Sequence, residues 1–323
     1  CNTHSVPLVA RGAGTSLSGG ARPDKNGVLL SMAKFSRILE IDAQNRTARV
    51  EPGVRNLAIS EAVAHLGLYY APDPSSQIAC SIGGNVAENA GGVHCLKYGL
   101  TVHNVLKLEV VLINGDRVTV GANALDAPGY DLLALLNGSE GMLGVVTEVT
   151  VRLLPQPAVA RVVLAVFDDV AIAGNAVAAI IGAGIIPAGL EMMDNLAIRA
   201  AEEFVHSGYP LDAASILICE LDGSEFEVAQ QIAQVIALLQ QGGAREVRVA
   251  ESEAHRLQFW AGRKNAFPAV GRISPDYYCI DGTIPRRHLG RVLQDIALLA
   301  KEYGLRVANV FHAGDGNLHP LIL

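Results

Sequence analysis

Several kinds of residue are scarce in this 323-residue chain, and each scarcity excludes a class of protein. Lys and Arg number 25 against 32 Asp and Glu, a formal net charge of −7, and there is no basic tract. Nucleic acid is therefore not expected as a partner, because phosphate binding needs clustered cations. Aromatic residues make up only 5% of the chain, so the core must consist mainly of Ala, Val, Leu and Ile.

Cysteine is also sparse and unpatterned. The five cysteines include no C-x-x-C pair; they are Cys1, Cys80, Cys95, Cys219 and Cys279. This argues against a disulfide framework, a zinc ribbon and a cysteine-bound iron–sulfur cluster. Isolated thiols are typical of a reducing compartment, so we expect a cytoplasmic protein.

One uncharged run, residues 170–190, is as long as a membrane-spanning helix. Asp169 precedes the run directly, and the run is interrupted by Pro187 and by glycines at 174, 182 and 184. An aspartate cap and internal helix breakers predict a helix over 170–182 followed by a buried strand near 185–193. No transmembrane segment is expected.

Glycine, by contrast, is abundant, with 33 residues that cluster in loops. The first cluster, residues 11–20, follows a strand-like run. It is not a Walker A loop, because no Lys-Ser/Thr follows Gly19, and it is not the dinucleotide fingerprint, because Leu17 stands where the third glycine would be. Its consecutive amides and the hydroxyls of Thr15, Ser16 and Ser18 nevertheless suit a phosphate. The alternative is a glycine-rich hairpin turn.

Two further glycine clusters occupy residues 81–92 and 138–144, and residues 72–76 precede the first of them. Asn85 and Asn89 lie four residues apart, so both amides would share one face if this stretch were helical. Three such loops in one half of the chain predict a backbone that approaches an extended ligand at several points. The alternative is three unrelated turns in a β-rich domain.

The last motif joins His312 to His319 through a predicted hairpin that could bring both rings to one edge. Two imidazoles suit Zn²⁺ or Mn²⁺, but a third ligand is not evident, and such pairs are more often not metal sites. Arg263, on a helix predicted over 252–266, could grip a carboxylate or could lie on a solvated helix face.

The chain divides in two near Leu154-Pro155-Gln156-Pro157, because prolines disfavour both helix and central strand. Short strands and hairpins dominate residues 1–155, whereas strands alternate with helices over 156–323. The predicted class is α+β. Because the chain starts at Cys1 and stops within a strand-like run, we expect a fragment that is truncated at both ends.

Read in chain order, these segments resemble the FAD-linked 2-hydroxy-acid oxidases and dehydrogenases of the vanillyl-alcohol oxidase superfamily. Each stretch is modestly specific, whereas the ordered set is very specific and covers nearly the whole chain. The stretches are VARGAGTSLSGG, PDPSS, SIGGNVAENAGG, GGVHCLKYG, GSEGMLGVVTE, GRKNAFPAVGRISPDYYCIDGTIPRRHL and VFHAGDGNLHP.

The resemblance implies a two-part FAD-binding domain of the vanillyl-alcohol oxidase (PCMH) type over 1–155. A ferredoxin-like α+β substrate or cap domain would follow over 156–323. Thr15 stands where members with covalent flavin often carry His, so noncovalent FAD is expected. The implied FAD residues are Arg11, Gly12, Ala13, Gly14, Thr15, Ser16, Pro72, Asp73, Ser75, Gly83, Gly84, Asn85, Asn89, Gly92, Glu140, Gly141 and Val146.

The same resemblance implies that His312 and His319 bind a Zn or Mn ion, with Asn317 beside the substrate and Arg263 on its carboxylate. In the family, a third ligand and the proposed general base belong to a later Glu-His-Gly motif, which this chain does not reach. Relatives that oxidise 2-hydroxyglutarate carry a Lys near Cys279, so its absence favours a small substrate.

The implied reaction is hydride transfer from C2 of glycolate to the flavin N5, which gives glyoxylate. Partners would be a second flavin subunit and an iron–sulfur subunit, which could hold the protein peripherally at the inner membrane. D-lactate and D-2-hydroxyglutarate are the alternative substrates. A noncatalytic flavin-binding subunit that relays electrons is the alternative of another class.

Overall fold

The computed structural model describes residues 1–127 and 129–323. The chain forms two compact units, unit 1 over Cys1–Gln156 and unit 2 over Pro157–Leu323. The division falls in the proline-rich stretch 154–157. Each unit has a sheet and a core of its own.

Unit 1 consists mainly of short strands. Its strands are β1 (Leu8–Arg11), β2 (Val28–Ser31), β3 (Ile38–Asp42), β4 (Thr47–Val50), β5 (Leu68–Tyr69), β6 (Val105–Val111), β7 (Arg117–Gly121), β8 (Val145–Arg152) and β9 (Leu154–Pro155). Its helices are α1 (Asn56–Val63), α2 (Ile82–Glu88), α3 (Cys95–Tyr98), α4 (Thr101–Asn104) and α5 (Leu132–Leu136).

An antiparallel five-stranded sheet in the order β3-β4-β8-β6-β7 carries the core of unit 1. Leu108 and Val110 of β6 alternate with less buried residues, as expected for a sheet with one face against a core. Helix α2 adds Ile82 and Val86 to this core. The predicted Asn114-Gly115 hairpin joins β6 to β7, and Gly115 takes φ +93°.

Unit 2 alternates longer strands with longer helices. Its strands are β10 (Val159–Phe167), β11 (Gly189–Asp194), β12 (Ser215–Gly223), β13 (Glu246–Val249), β14 (Tyr278–Cys279), β15 (Gly282–Thr283), β16 (Val307–His312), β17 (Asn317–Leu318) and β18 (Pro320–Ile322). Its helices are α6 (Val170–Gly182), α7 (Asn195–Val205), α8 (Glu225–Gln241), α9 (Glu253–Lys264), α10 (Ala266–Ile273) and α11 (Leu289–Tyr303).

The main sheet of unit 2 runs in the order β13-β10-β12-β11-β16, and each of these neighbouring pairs is antiparallel. Helix α6 leads from β10 to β11 with β12 between them, and α8 leads from β12 to β13 with β10 between them. Two such split β-α-β units form a ferredoxin-like arrangement, so the predicted α+β class is confirmed. Consecutive residues 162–167 of β10 are all buried, so both faces of the sheet are covered.

The long uncharged run folds as its sequence predicts. Helix α6 begins at the cap Asp169, whose carboxylate accepts hydrogen bonds from Ala171 N and Ile172 N, and the helix ends at Gly182. The following strand starts only at Gly189, later than predicted, because Gly184 is left-handed and Pro187 lacks an amide hydrogen. Within the described residues, no helix is both long and apolar enough to cross a membrane.

We predict that Gly174→Ala lowers the free energy of unfolding by roughly 1–3 kcal/mol, because α6 and α11 touch there. A Cβ at Gly174 would lie 2.7 Å from the backbone N of Gly290. Gly182→Ala is the matched control, since it lies in the same helix with no atom within 4 Å of its Cβ. Urea unfolding should leave this control unchanged or more stable, and equal losses in both variants would contradict the tight contact.

Candidate functional site

Helix α2 is the element around which the glycine-rich loops of unit 1 gather. The Ser81 hydroxyl caps its start and accepts a hydrogen bond from Gly84 N. Asn89 ends it in the left-handed conformation, and the Asn89 side chain accepts from Val102 N at 3.0 Å. Both ends of the helix are therefore fixed by side chains.

The first glycine loop, residues 11–20, runs along α2. Gly12 approaches the start of the helix so closely that a Cβ would lie 2.1 Å from Ser81 Oγ. Near the other end, Ser16 Oγ donates to Glu88 Oε1 at 2.8 Å, and Ser18 Oγ donates to the same carboxylate at 3.2 Å. Only a residue without a side chain fits at Gly12 while the loop keeps this course.

Arg11 and the amides that follow it suit an anion. Gly14 has φ +73°, and a Cβ on it would lie 2.6 Å from Arg11 Nη2, so the guanidinium folds against the loop. In the described part of the chain, none of the five amides from Gly12 to Ser16 donates to a protein acceptor. Consecutive unused amides beside a cation are the donor set that a pyrophosphate needs.

The third glycine loop joins the same helix. Gly138 N donates to Val86 O and Glu140 N donates to Ala87 O, both at 2.8 Å. A Cβ on Gly20 of the first loop would lie 3.5 Å from Glu140 Oε2. The first and third glycine clusters therefore both contact the helix that the second cluster forms, an arrangement that unrelated turns would not require.

The segment 72–76 is held from two sides. The Asp73 carboxylate accepts from His94 N at 3.1 Å and contacts His94 Nδ1 at 2.7 Å. Gly92 packs against the backbone of Asp73, since a Cβ on Gly92 would lie 2.3 Å from Asp73 O. His94 follows the second glycine cluster in the sequence, and its contact with Asp73 becomes visible only in the fold.

The two asparagines of α2 have separate partners. Asn56 Nδ2 donates to Pro72 O at 3.0 Å and to Asn85 Oδ1 at 2.9 Å, so the buried Asn85 links α2 to α1. The helix ends before Asn89, which bonds to Val102 instead. The expectation that both amides line one helix face thus gives way to a capping role for Asn89.

The remaining residues expected at the flavin differ in their exposure. Ala13, Thr15, Ser75 and Gly141 are exposed, and Val146 is half-buried on β8. Gly83 packs against Pro52, because a Cβ on it would lie 2.6 Å from the Pro52 side chain. Their contacts with flavin stay predictions.

In unit 2 the structure brings His312 and His319 together. Their ring centroids are 5.1 Å apart, at the end of β16 and between β17 and β18. The turn between them requires Gly316, which has φ +79° and a Cβ position only 2.3 Å from Ile284 O. Asn317 follows this turn, and its Oδ1 accepts from Thr283 Oγ1 at 3.3 Å.

A buried carboxylate that the sequence analysis did not single out lies beside His312. Glu191 of β11 is 1% exposed, and its Oε1 accepts from His312 Nδ1 at 2.8 Å. Its Oε2 accepts a hydrogen bond from Arg263 Nε at 2.8 Å and forms an ion pair with Nη2 at 2.6 Å. One signal could have found it: a lone carboxylate inside a strand predicted as buried must have partners.

Arg263 is 4% exposed, so the solvated-face alternative is wrong. Helix α9 ends at Lys264 because Asn265 leaves helical geometry, and α10 starts at Ala266, whereas the sequence predicts a helix over 252–266 and none directly after it. Arg263 therefore lies in the last turn of α9, turned inward to Glu191.

The charges of this cluster shift one another. Burial raises the pKa of Glu191, but the adjacent His312 and Arg263 lower it by more, so this pKa lies below its ordinary value. Burial lowers the pKa of His312, and Glu191 more than offsets this, so it ends above its usual value. Burial and His312 lower the pKa of His319 to about 4, so at neutral pH this ring is uncharged and has a lone pair for a metal.

Comparisons with known proteins first define a class. A family model described as "FAD linked oxidases, C-terminal domain" matches residues 156–323, and one described as "FAD binding domain" matches residues 1–121. A solved alkyldihydroxyacetonephosphate synthase has a TM-score of 0.79 at 18% identity, covering 99% of this chain and 66% of that one. A solved p-cresol methylhydroxylase has a TM-score of 0.76 at 16% identity, covering 100% of this chain and 70% of that one, so the chain shares the fold of both proteins.

Curated proteins of similar sequence then identify the family within this class. Glycolate oxidase subunit GlcD of Escherichia coli K12 is 69% identical over the whole chain, which spans 65% of that protein's length. GlcD of Bacillus subtilis is 41% identical over 99% of the chain and 68% of its own length. A D-lactate dehydrogenase of Anaerostipes hadrus is 32% identical over 99% of the chain and 69% of its own length. The chain belongs to the FAD-linked oxidase family.

We predict that Gly12→Ala weakens FAD retention at least about 10-fold, because the new methyl group collides with Ser81 Oγ and displaces the loop. Ser81→Ala in the same chain removes the colliding oxygen and should restore part of the retention. Flavin content after gel filtration and its dissociation constant measure both effects. Full retention by Gly12→Ala would contradict the role of the close approach.

Proposed function

We propose that the protein oxidises a small 2-hydroxy acid, glycolate to glyoxylate, with noncovalent FAD as hydride acceptor. The observation that carries the proposal is the buried cluster in which Glu191 joins Arg263 to His312, with His319 beside it. A 2-hydroxy acid has a carboxylate that a guanidinium can bind and a hydroxyl that a cation held by two imidazoles can coordinate.

The first glycine loop would hold the FAD pyrophosphate. The unused amides of Gly12–Ser16 and the Arg11 guanidinium support this assignment. The segments around Asp73 and Glu140 would extend the same cradle, because they are tied to α2 or packed against its neighbours. Bound FAD supplies a hydride acceptor at N5 for the C2 hydrogen of the acid.

The cluster in unit 2 would bind the acid. Glu191 occupies the Nε–Nη2 edge of Arg263, and Nη1 makes no hydrogen bond with any described residue. The end-on fork of Nη1 and Nη2 therefore suits the substrate carboxylate. His312 and His319 would hold a Zn or Mn ion, with Asn317 beside the substrate. Such an ion lowers the pKa of a coordinated hydroxyl.

A small acid is favoured over a dicarboxylate. The half-buried Cys279 stands near the position of the lysine expected in relatives that oxidise 2-hydroxyglutarate, and a thiol offers no charge for a second carboxylate. D-lactate and D-2-hydroxyglutarate remain the alternatives, and a D-lactate dehydrogenase is among the relatives.

We further propose that the electrons pass to partner subunits, one flavin-binding and one iron–sulfur. Two relatives carry the word "subunit" in their names. The five cysteines include no C-x-x-C pair for an iron–sulfur cluster of the chain's own. A cytoplasmic position, peripheral at the inner membrane through those partners, would follow.

The test is anaerobic addition of each acid to the FAD-loaded protein while the visible flavin band is recorded. Glycolate should bleach the band faster than D-lactate or D-2-hydroxyglutarate at equal concentration. Faster bleaching by either of the other acids would transfer the assignment to that acid, and an unchanged spectrum with all three would refute the oxidase.

His312→Ala separates the oxidase from a noncatalytic electron-relay subunit. We expect flavin reduction by glycolate to slow about 100-fold or more while FAD content stays unchanged. The exposed His65, changed to Ala, is the matched control and should leave the rate unaltered. Equal rates in the His312 variant and the unmodified protein would favour the relay.

A further inference from the structure

Glu191 joins three elements that are far apart in sequence. It extends from β11 to His312 at the end of β16 and to Arg263 at the end of α9. The antiparallel register places Glu191 directly opposite His312, so their contact follows from the backbone pairing of β11 and β16. Both of its oxygens are used, and its side chain is 1% exposed.

The contact with His312 fixes which ring nitrogen is available. An ionised carboxylate only accepts hydrogen bonds, so His312 Nδ1 must carry the hydrogen that it donates to Oε1. In the uncharged ring the lone pair is then on Nε2, turned away from Glu191. This is the arrangement in which histidine ligands of metals are usually held by a carboxylate.

The contact with Arg263 fixes the plane of its guanidinium group. On one edge of the guanidinium, Nε donates to Oε2, and Nη2 lies 2.6 Å from the same oxygen in an ion pair. Because the guanidinium is rigid and planar, this edge determines where the opposite Nη1 corner points. A buried carboxylate with two cationic neighbours also compensates their charge, which leaves neither uncompensated in the interior.

We propose that Glu191 is a positioning residue that orients two groups at once, the Nε2 of His312 and the Nη1–Nη2 end of Arg263. The inference rests on the proposed function, because it assigns these two groups to the cation and to the substrate carboxylate. Glu191 itself touches neither substrate nor flavin in this scheme. It links the binding of the metal to the binding of the acid through one side chain.

Glu191→Gln tests the link because an amide has one acceptor oxygen instead of two. If that oxygen stays on Arg263, the amide nitrogen donates to His312 Nδ1 and moves the ring hydrogen to Nε2, which blocks metal binding. If it stays on His312, Arg263 loses its anchor. Glu191→Asp keeps the charge but is one methylene shorter, and it carries the test if the glutamine variant does not fold.

The matched control is Glu220→Gln. Glu220 is another buried carboxylate of the same sheet, on β12, and its Oε2 accepts from Arg256 Nη1 and Trp260 Nε1. Its hydrogen bonds to these two side chains have the same chemistry and do not involve His312 or Arg263. A loss that reflects only the removal of a buried carboxylate should therefore occur in both variants.

Zn²⁺ binding to the FAD-loaded protein is measured by calorimetry, and KM and kcat for glycolate are measured separately. Each Glu191 variant should weaken Zn²⁺ binding about 10–100-fold or lower kcat/KM at least roughly 10-fold through KM. The control should stay within about 2-fold of the unmodified protein in both. Unchanged Zn²⁺ affinity and KM in the Glu191 variants, or equal losses in the control, would overturn the inference.

Failure of the inference and failure of the proposed function give different results. If His312→Ala binds Zn²⁺ as well as the unmodified protein does, the metal site itself is wrong, and the positioning role falls with it. If His312→Ala loses Zn²⁺ while the Glu191 variants bind Zn²⁺ and glycolate normally, only the positioning role is refuted and the proposed function stands.

Discussion

A carboxylate that is almost wholly removed from water is stable only when its charge and its oxygens are matched, and Glu191 meets this condition through two neighbours. The requirement works in both directions. Arg263 is itself buried at the end of α9, and His312 ends β16, so each depends on the same carboxylate for compensation. The sheet register that sets Glu191 against His312 is therefore a condition for the whole cluster. The turn that returns the chain to His319 completes it.

Unit 1 depends on a steric constraint instead. Helix α2 is short, and its apolar residues Ile82 and Val86 are committed to the core, so its outer surface is available to loops. The first glycine loop reaches it at Gly12 only because no side chain intervenes. The third loop joins through backbone bonds to Val86 and Ala87. Close backbone approach leaves a run of amides without protein acceptors beside Arg11, and this is the property that suits a dinucleotide phosphate.

Local patterns were sufficient where local forces decide the structure. The aspartate cap and glycine end of α6 mark that helix within the sequence, and Asn114-Gly115 marks its hairpin. The ordered motifs indicated the family and the side chains to examine. The same reasoning carried the helix of Arg263 through Asn265 to residue 266 and did not predict α10. It also placed Asn89 on one helix face with Asn85, on the condition that this stretch is helical. At both points a single residue leaves helical geometry for reasons of side-chain bonding that periodicity does not contain.

By itself the sequence determined the α+β class and led to the expectation of a division near its prolines. It also identified the glycine loops, the paired histidines and Arg263 as candidates for the site. Those features are carried by neighbours in the chain, because caps, turns and hydrophobic periods act over a few residues. Only the tertiary structure decided that Arg263 faces inward and that Glu191 is its partner. Their contact spans 72 residues, and the contact of Glu191 with His312 spans 121. Such pairs are selected by sheet register and by the need to neutralise a buried charge, and both exist only once the chain has folded.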